Sequence, residues 1–74
     1  LSSVVKAALT GKVLNIAVSV GQAVNEGHLL CTIEAMKMEN RILAERDGIV
    51  KSIAVSVGQN VNTGDTLLIF SEGA

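Results

Sequence analysis

The sequence predicts an all-β domain, and three observations support that prediction. The chain repeats itself at an offset of 37 residues, with 13 of 24 positions identical when residues 11–34 are aligned with 48–71. β-Branched residues recur in both copies, and such residues favour the pleated surface of a sheet. Turn residues separate the apolar runs at intervals of roughly 8–12 residues, which is typical of a β-barrel or sandwich. About four short strands per copy are therefore expected.

The repeat divides a single domain, residues 1–74, into the halves 1–37 and 38–74. Neither copy carries an insertion relative to the other. Each half alone would expose an apolar face, so we expect the two to pack about an approximate two-fold axis. The junction falls at Lys37 and Met38, and we expect a hairpin there, at the opposite end of the molecule from the two chain termini.

The strands follow from the apolar runs, taken along the chain. Alternation of apolar and small residues predicts strands ending at Val20 in the first copy and at Val57 in the second. Continuous apolar runs predict strands over 28–34 and 66–70. A further strand is predicted over 38–44. Residues 33–46 have helical propensity, but we reject a helix because the equivalent stretch in the other copy has none.

Predicted turns separate these strands. Glycine and asparagine supply the positive-φ residues that hairpin turns require, and glycine followed by a polar residue ends an apolar run. The turns, given as first copy and then second copy, are Leu9-Thr10-Gly11 with Arg46-Asp47-Gly48, Gly21-Gln22 with Gly58-Gln59, and Asn25-Glu26-Gly27 with Asn62-Thr63-Gly64.

Composition argues against several functional classes. The net charge of −1 and a single aromatic residue, Phe70, argue against a nucleic-acid surface. Cys31 and His28 are the only residues of their types, so neither an internal disulfide nor a closed zinc site of cysteines and histidines is available. No apolar run approaches the roughly 20 residues of a membrane-spanning helix, and no signal peptide is visible. Because the chain begins at Leu1, we expect it to be a fragment or a processed product.

One motif carries chemistry, the central hairpin Glu34-Ala35-Met36-Lys37-Met38-Glu39-Asn40. A lysine at a hairpin tip points into water, and its flexible stem and exposed amine suit it for modification. The amine does not react with an unactivated acid. The sequence offers no Cys/His pair, carboxylate dyad or glycine-rich phosphate loop to activate one. We therefore interpret Lys37 as the substrate of another enzyme and expect no catalytic residue in this chain.

Glu-Ala-Met-Lys-Met-Glu resembles the biotinylation signature of the biotin carboxyl carrier family, and the resemblance covers about residues 4–70. It implies a flattened barrel-sandwich of two four-stranded antiparallel sheets with quasi-two-fold symmetry, and a modified lysine on an exposed hairpin. Some bacterial acetyl-CoA carboxylase carriers have an inserted thumb in the first half, for which the uninterrupted repeat leaves no room. Where family members often have proline before the first repeated glycine, this chain reads Ala-Ala-Leu-Thr.

The resemblance also implies a mechanism. A biotin protein ligase would join biotin to Lys37, a biotin carboxylase would carboxylate it, and a carboxyltransferase would pass the carboxyl group to an acceptor. The domain would be a non-catalytic part of a carboxylase, decarboxylase or transcarboxylase. It would lie in the cytoplasm, or in the mitochondrial matrix of a eukaryote, and would not enter a membrane.

The roles of the neighbouring residues are left with alternatives. Met36 and Met38 are either recognition elements beside the lysine or gap-filling core residues, and we favour exposure. Glu34 and Glu39 are either solvated charges or ligase contacts, and Ala35 belongs to the same candidate contact surface.

Two other residues are weighed in the same way. We interpret Cys31 as a small core residue rather than a reactive thiol, and His28 as a surface turn residue.

Two other functions remain open. A lipoyl carrier of a 2-oxo acid dehydrogenase complex would share the fold and the lysine. Lipoyl domains usually have an acidic residue before that lysine and a small one after it, whereas Met36 and Met38 stand here. A purely structural barrel, as in membrane-fusion components of efflux pumps, would give no reason for a lysine between two methionines.

Overall fold

The computed structural model describes residues 3–71, in which eight β-strands and no helix are found. The strands are β1 (Val4–Lys6), β2 (Gly11–Ile16), β3 (Ala23–Val24), β4 (Leu29–Ala35), β5 (Met38–Leu43), β6 (Gly48–Ile53), β7 (Asn60–Val61) and β8 (Thr66–Phe70). Consequently, no helix within this range is long and apolar enough to cross a membrane. The predicted domain boundaries 1–74 include residues 1, 2 and 72–74, which lie outside the described residues.

The strands form two four-stranded antiparallel sheets. One has the order β1-β8-β6-β3 and the other the order β5-β4-β2-β7. Each sheet therefore combines strands from both halves of the sequence, so neither half forms a sheet by itself. The predicted all-β fold of two four-stranded sheets is confirmed, and the strands β4 and β5 confirm that residues 33–46 are not helical.

The two-fold symmetry is visible in the pairing of individual residues. Val4 pairs with Ile69 in one sheet, and Arg41 pairs with Thr32 in the other. Adding 37 to the first number and subtracting 37 from the second converts the first pair into the other. Adding 37 to both numbers of a pair converts the β2–β4 ladder into the β6–β8 ladder, including the register shift in each. The sequence repeat is therefore a structural repeat down to individual residue pairs.

The turns obey the same symmetry. The amide of Gly27 donates to the carbonyl of Ala44 at 2.8 Å, and the amide of Gly64 donates to Ala7 at 2.8 Å. Both glycines have positive φ, 88° and 94°, which a residue with a Cβ adopts only with strain. The turns predicted at Asn25-Glu26-Gly27 and Asn62-Thr63-Gly64 are confirmed.

One type of predicted boundary is wrong in both copies. The alternating runs were expected to continue as strands to Val20 and to Val57, but β2 ends at Ile16 and β6 ends at Ile53. The Ala17 amide still donates to Leu30 at 2.8 Å, after which the chain leaves β4 and crosses to the other sheet, where the Gly21 amide donates to Val50 at 2.7 Å. The apolar alternation extends beyond β2 because Val18 is buried where the chain crosses from one sheet to the other. Val20, the next apolar residue of the run, is 62% exposed.

The core is aliphatic apart from Phe70 and lies between the two sheets in two symmetry-related clusters. Val5 and Ile16 pack against both clusters and join them. Full burial of a valine or leucine side chain contributes about 1.5–3 kcal/mol, which is how so small a chain is held without a disulfide. The residues exposed by 2% or less are Val13, Leu30, Cys31, Ile33, Val50, Val61, Leu67, Leu68 and Phe70.

The β4–β5 hairpin tip and the described ends of the chain lie at opposite ends of the molecule. β5 runs away from the tip, and the loop after it leads into β6, so β6 begins at the far end. There the Ser71 amide donates to Ile49 at 2.8 Å and the Phe70 amide donates to Ser3 at 2.7 Å. The long axis of the molecule, 37 Å against 20 and 18 Å, accommodates this separation.

Candidate functional site

Lys37 lies at the tip of the hairpin between β4 and β5. Ala35 pairs with Met38, so Met36 and Lys37 are the two central residues of a two-residue turn. Both have positive φ, 54° for Met36 and 64° for Lys37. Positive φ at both central positions is the feature of the type I′ turn, which matches the twist of the flanking strands. This turn usually takes Asn-Gly or Asp-Gly, so methionine and lysine are unusual there.

The tip is strained. A residue other than glycine in the left-handed region costs about 1–3 kcal/mol, and such residues persist only where the surrounding structure enforces them. Met36 and Lys37 are the only described non-glycine residues with positive φ. Within residues 3–71, backbone strain from positive φ at non-glycine residues is therefore found at the predicted modification site. The rest of the hairpin must stabilise the turn in this conformation.

The side chains around Lys37 are mostly exposed. Lys37 itself is exposed, Met36 is 92% exposed and Met38 is 66% exposed. The favoured expectation that both methionines are exposed therefore agrees with the structure, and the alternative of gap-filling core residues does not. That alternative assumed two positions on one strand, whereas Met36 occupies a turn. Ala35 is 8% exposed and anchors the last position of β4 to the barrel.

Two carboxylates lie opposite each other next to the tip. Glu34 pairs with Glu39 across β4 and β5, and Glu34 also pairs with Lys12 on β2. Both glutamates are exposed. Like charges directly opposite on a sheet are destabilising, and Lys12, which pairs with Glu34 on its other side, offsets part of this repulsion. A basic partner surface would neutralise the remaining negative charge on the outer face of the hairpin.

Asn40 is the residue of this hairpin that sequence reasoning missed. Its side-chain Nδ2 donates to the carbonyl of Ile33 on β4 at 3.3 Å and to that of Met38 on β5 at 3.2 Å. An amide nitrogen has two hydrogens, so both are used. The available signal was an asparagine inside a predicted strand, where that residue is unfavourable.

The other candidate residues lie away from the tip. The thiol of Cys31 is buried, and burial raises its pKa from an ordinary value of 9.0. A buried, protonated thiol is a poor nucleophile, which agrees with the interpretation of Cys31 as a core residue. His28 is exposed after the turn glycine, and its Nε2 lies 3.5 Å from Nε2 of Gln22.

No chemistry converges on the remainder of the described surface. Among residues 3–71, no group of three or more His, Cys, Asp and Glu side chains is placed to hold a metal ion. A groove of about 680 Å³ lies between the edge strands β1 and β5, and none of residues 34–39 lines it. The arrangement therefore presents the Lys37 amine at the tip of a hairpin, away from this groove.

Comparison with known proteins identifies the family. The profile of the family described as "Biotin-requiring enzyme" matches residues 2–70. This chain belongs to that family. The predicted biotin carrier type and its covalent biotin cofactor are confirmed at the level of the family. The attachment atom remains a prediction because no comparison assigns individual residues.

The relatives are parts of biotin-dependent enzymes. Methylmalonyl-CoA decarboxylase subunit gamma of Veillonella parvula is 53% identical over 45 residues, covering 61% of this chain and 35% of that subunit. A single-chain, multi-domain long-chain acyl-CoA carboxylase has a matching region with a TM-score of 0.88 and 33% identity, covering 95% of this chain and 7% of that protein. The chain thus spans about a third or less of these relatives.

The lipoyl alternative is less supported. The lipoyl domain of the 2-oxoglutarate dehydrogenase complex from Azotobacter vinelandii matches with a TM-score of 0.84 and 29% identity, covering 99% of this chain and 100% of that domain. Lipoyl and biotin carriers therefore share this fold, and the fold alone does not separate them. Sequence similarity does, since the curated relatives belong to biotin-dependent enzymes.

Proposed function

We propose that this domain carries biotin on Nζ of Lys37 and moves a carboxyl group between a biotin carboxylase and a carboxyltransferase. One observation carries the proposal: the only lysine in a strained two-residue turn stands at the tip of a rigid hairpin, with exposed methionines on both sides. The domain itself is non-catalytic. Its family membership supports the cofactor, and the exposed position of Lys37 at the hairpin tip supports that residue as the attachment point.

The loading step needs an external enzyme. A biotin protein ligase activates the biotin carboxyl group as an adenylate. Nζ of Lys37 attacks that carbonyl, AMP leaves, the nitrogen loses a proton and an amide bond forms. Exposure of Lys37 at the tip allows the amine to enter a ligase active site while the barrel stays outside. Met36 and Met38 supply apolar contacts beside it, since both project into solvent.

We further propose that the ligase docks on the outer face of the hairpin. Glu34 and Glu39 lie opposite each other there, and a basic ligase surface would offset their repulsion. The backbone of Ala35 would contribute to the same contact surface. Neutralising Glu34 as glutamine is expected to raise the KM for the domain without lowering kcat, because a charge remote from the reacting amine acts on association.

Once biotin is attached, the proposed role of the domain is to carry it from one active site to the next. Bound biotin supplies a ring nitrogen that accepts and releases a carboxyl group. The domain and its linker convert the encounter with each active site into an intramolecular one, with an effective concentration set by linker length. The acceptors proposed are acyl-CoA thioesters, since the relatives named above act on methylmalonyl-CoA and long-chain acyl-CoA. The cytoplasm or mitochondrial matrix is the proposed location.

The test is an intact mass of the chain after incubation with biotin ligase, ATP and biotin. One added biotin in the wild type and in Lys51→Ala, but none in Lys37→Ala, is the expected result. Lys51 is a matched control because it is also an exposed lysine in this fold. Modification of the Lys37→Ala variant would refute the assignment. Modification by lipoate and its ligase, with none by biotin, would assign the lipoyl function instead.

A further inference from the structure

The strained tip needs a restraint that the strand ladder alone does not explain. A two-residue turn with positive φ at both central positions ordinarily contains glycine or asparagine, which tolerate it. Met36 and Lys37 lack that tolerance, yet both adopt it, with φ of 54° and 64°. Only the last two cross-strand pairs, Ala35 with Met38 and Glu34 with Glu39, separate the turn from Asn40. The second of these is a repulsive pair of carboxylates.

Asn40 is placed to supply the restraint. Its side chain binds carbonyl oxygens on both strands of the hairpin, Ile33 at 3.3 Å and Met38 at 3.2 Å. Met38 is the residue directly after Lys37, so fixing its carbonyl fixes the orientation of the peptide that follows the turn. Asn40 is half-buried, and its bond to Ile33 is partly shielded from water, whereas its bond to Met38 is exposed. The side chain of Ile33 is completely buried, so the Asn40 amide links the tip of the hairpin to a residue anchored in the core.

We propose that Asn40 is a positioning residue, which holds the Met36-Lys37 turn in the left-handed conformation that the ligase recognises. The proposal rests on the proposed function, since it assigns a role in loading Lys37. Without the Asn40 amide, the turn would exchange between the observed conformation and relaxed ones. If the ligase binds only the observed conformation, the apparent affinity of the ligase for the domain is reduced in proportion to the fraction of molecules in that conformation.

The test compares three variants of the chain. Asn40→Asp keeps the shape and removes both donors, whereas Asn40→Leu removes them without adding charge. Asn60→Asp is the matched control, because Asn60 is exposed on β7, an edge strand of the same sheet. Initial rates of biotinylation give kcat and KM for the protein substrate, and thermal unfolding of each variant is measured alongside.

Both Asn40 variants are expected to raise KM roughly tenfold with kcat within about twofold of wild type, while Asn60→Asp leaves both unchanged. A purely structural role would lower the melting temperature and leave KM unchanged at 25 °C, where the chain is still folded. That result would overturn the proposal. So would a fall in kcat at constant KM, because the bound lysine would then be misplaced in every conformer.

A second measurement does not depend on biotin. Positive φ brings Hα close to the amide hydrogen of the same residue, so Met36 and Lys37 give strong intraresidue nuclear Overhauser effects in the unmodified wild type. These effects are expected to weaken in both Asn40 variants and persist in Asn60→Asp. Persistence in the Asn40 variants overturns the proposal. If wild type accepts no biotin, the proposed function fails, and this measurement alone decides whether Asn40 holds the turn.

Discussion

Gly11 lies where β2 begins, beside the part of β4 next to the hairpin tip, and replacing it with alanine is expected to be unusually costly. A Cβ at position 11 would overlap the carbonyl oxygen of Glu34 and lie 2.9 Å from Cγ2 of Ile33. The first obstacle is backbone, so it cannot rotate away. The two strands must therefore separate where Lys12 pairs with Glu34.

The magnitude follows from two contributions. Overpacking in a closely packed site costs about 1–3 kcal/mol, and a weakened ladder bond costs about 1 kcal/mol more. We expect Gly11→Ala to lower the free energy of unfolding by roughly 2–4 kcal/mol. A change of 1 kcal/mol shifts the melting temperature of a domain this small by about 4–8 °C, so the melting temperature should fall by roughly 8–30 °C.

Two matched glycines isolate the cause. Gly48 occupies the equivalent position, where a Cβ would lie 3.2 Å from Cγ of Phe70, so a shift of only a few tenths of an ångström is needed and Gly48→Ala should cost less. Gly21 has nothing within 4 Å but a φ of 91°, so Gly21→Ala measures backbone strain alone, about 1 kcal/mol. Urea and thermal unfolding followed by circular dichroism provide the values. A Gly11→Ala loss no larger than that of Gly48→Ala would refute the steric argument.

Three further predictions concern stability. Leu30 and Leu67 are fully buried at symmetry-related positions, and replacing either with alanine should lower the free energy of unfolding by about 2–5 kcal/mol. Leu43 is half-exposed, so Leu43→Ala should lower it by under about 1 kcal/mol; urea titrations measure all three values. Lys37→Ala should change it by less than about 0.5 kcal/mol, and a larger loss would make this lysine structural. Because burial raises the pKa of Cys31 from 9.0, the native state holds this proton more tightly. Stability should therefore fall as pH rises past about 9, in wild type but not in Cys31→Val.

Much of this architecture was predictable from the sequence because the repeat and the turn glycines are local signals. The repeat gave the symmetry, and Gly27 and Gly64 marked turns whose positive φ the structure confirms. The end of β2 was not predictable, because the alternation continues through Val18, which is buried outside any strand, and Val20, which is exposed, so it does not reflect strand pairing there. Sheet order was equally inaccessible, since pairing of the first strand with the last leaves no trace in local composition.

The candidate site divides in the same way. Lys37 was found from its neighbours in the sequence, since a lysine between two methionines at the repeat junction is a sequence feature. The left-handed turn was not predicted, because Met36 and Lys37 have no propensity for it. Asn40 was missed because its function depends on two carbonyl oxygens, on Ile33 and Met38, which only the folded hairpin brings together.

Interleaving of the two halves has a consequence for the order in which the domain folds. The β4–β5 hairpin joins strands that are adjacent in the chain, so closing it costs little loop entropy, whereas pairing β1 with β8 must close a loop of almost the whole chain. We therefore expect the segment bearing Lys37 to form early and the pairing of β1 with β8 to be a late, slow event. In hydrogen exchange, protection should accordingly be lost first at β1, at the end of the barrel farthest from the lysine.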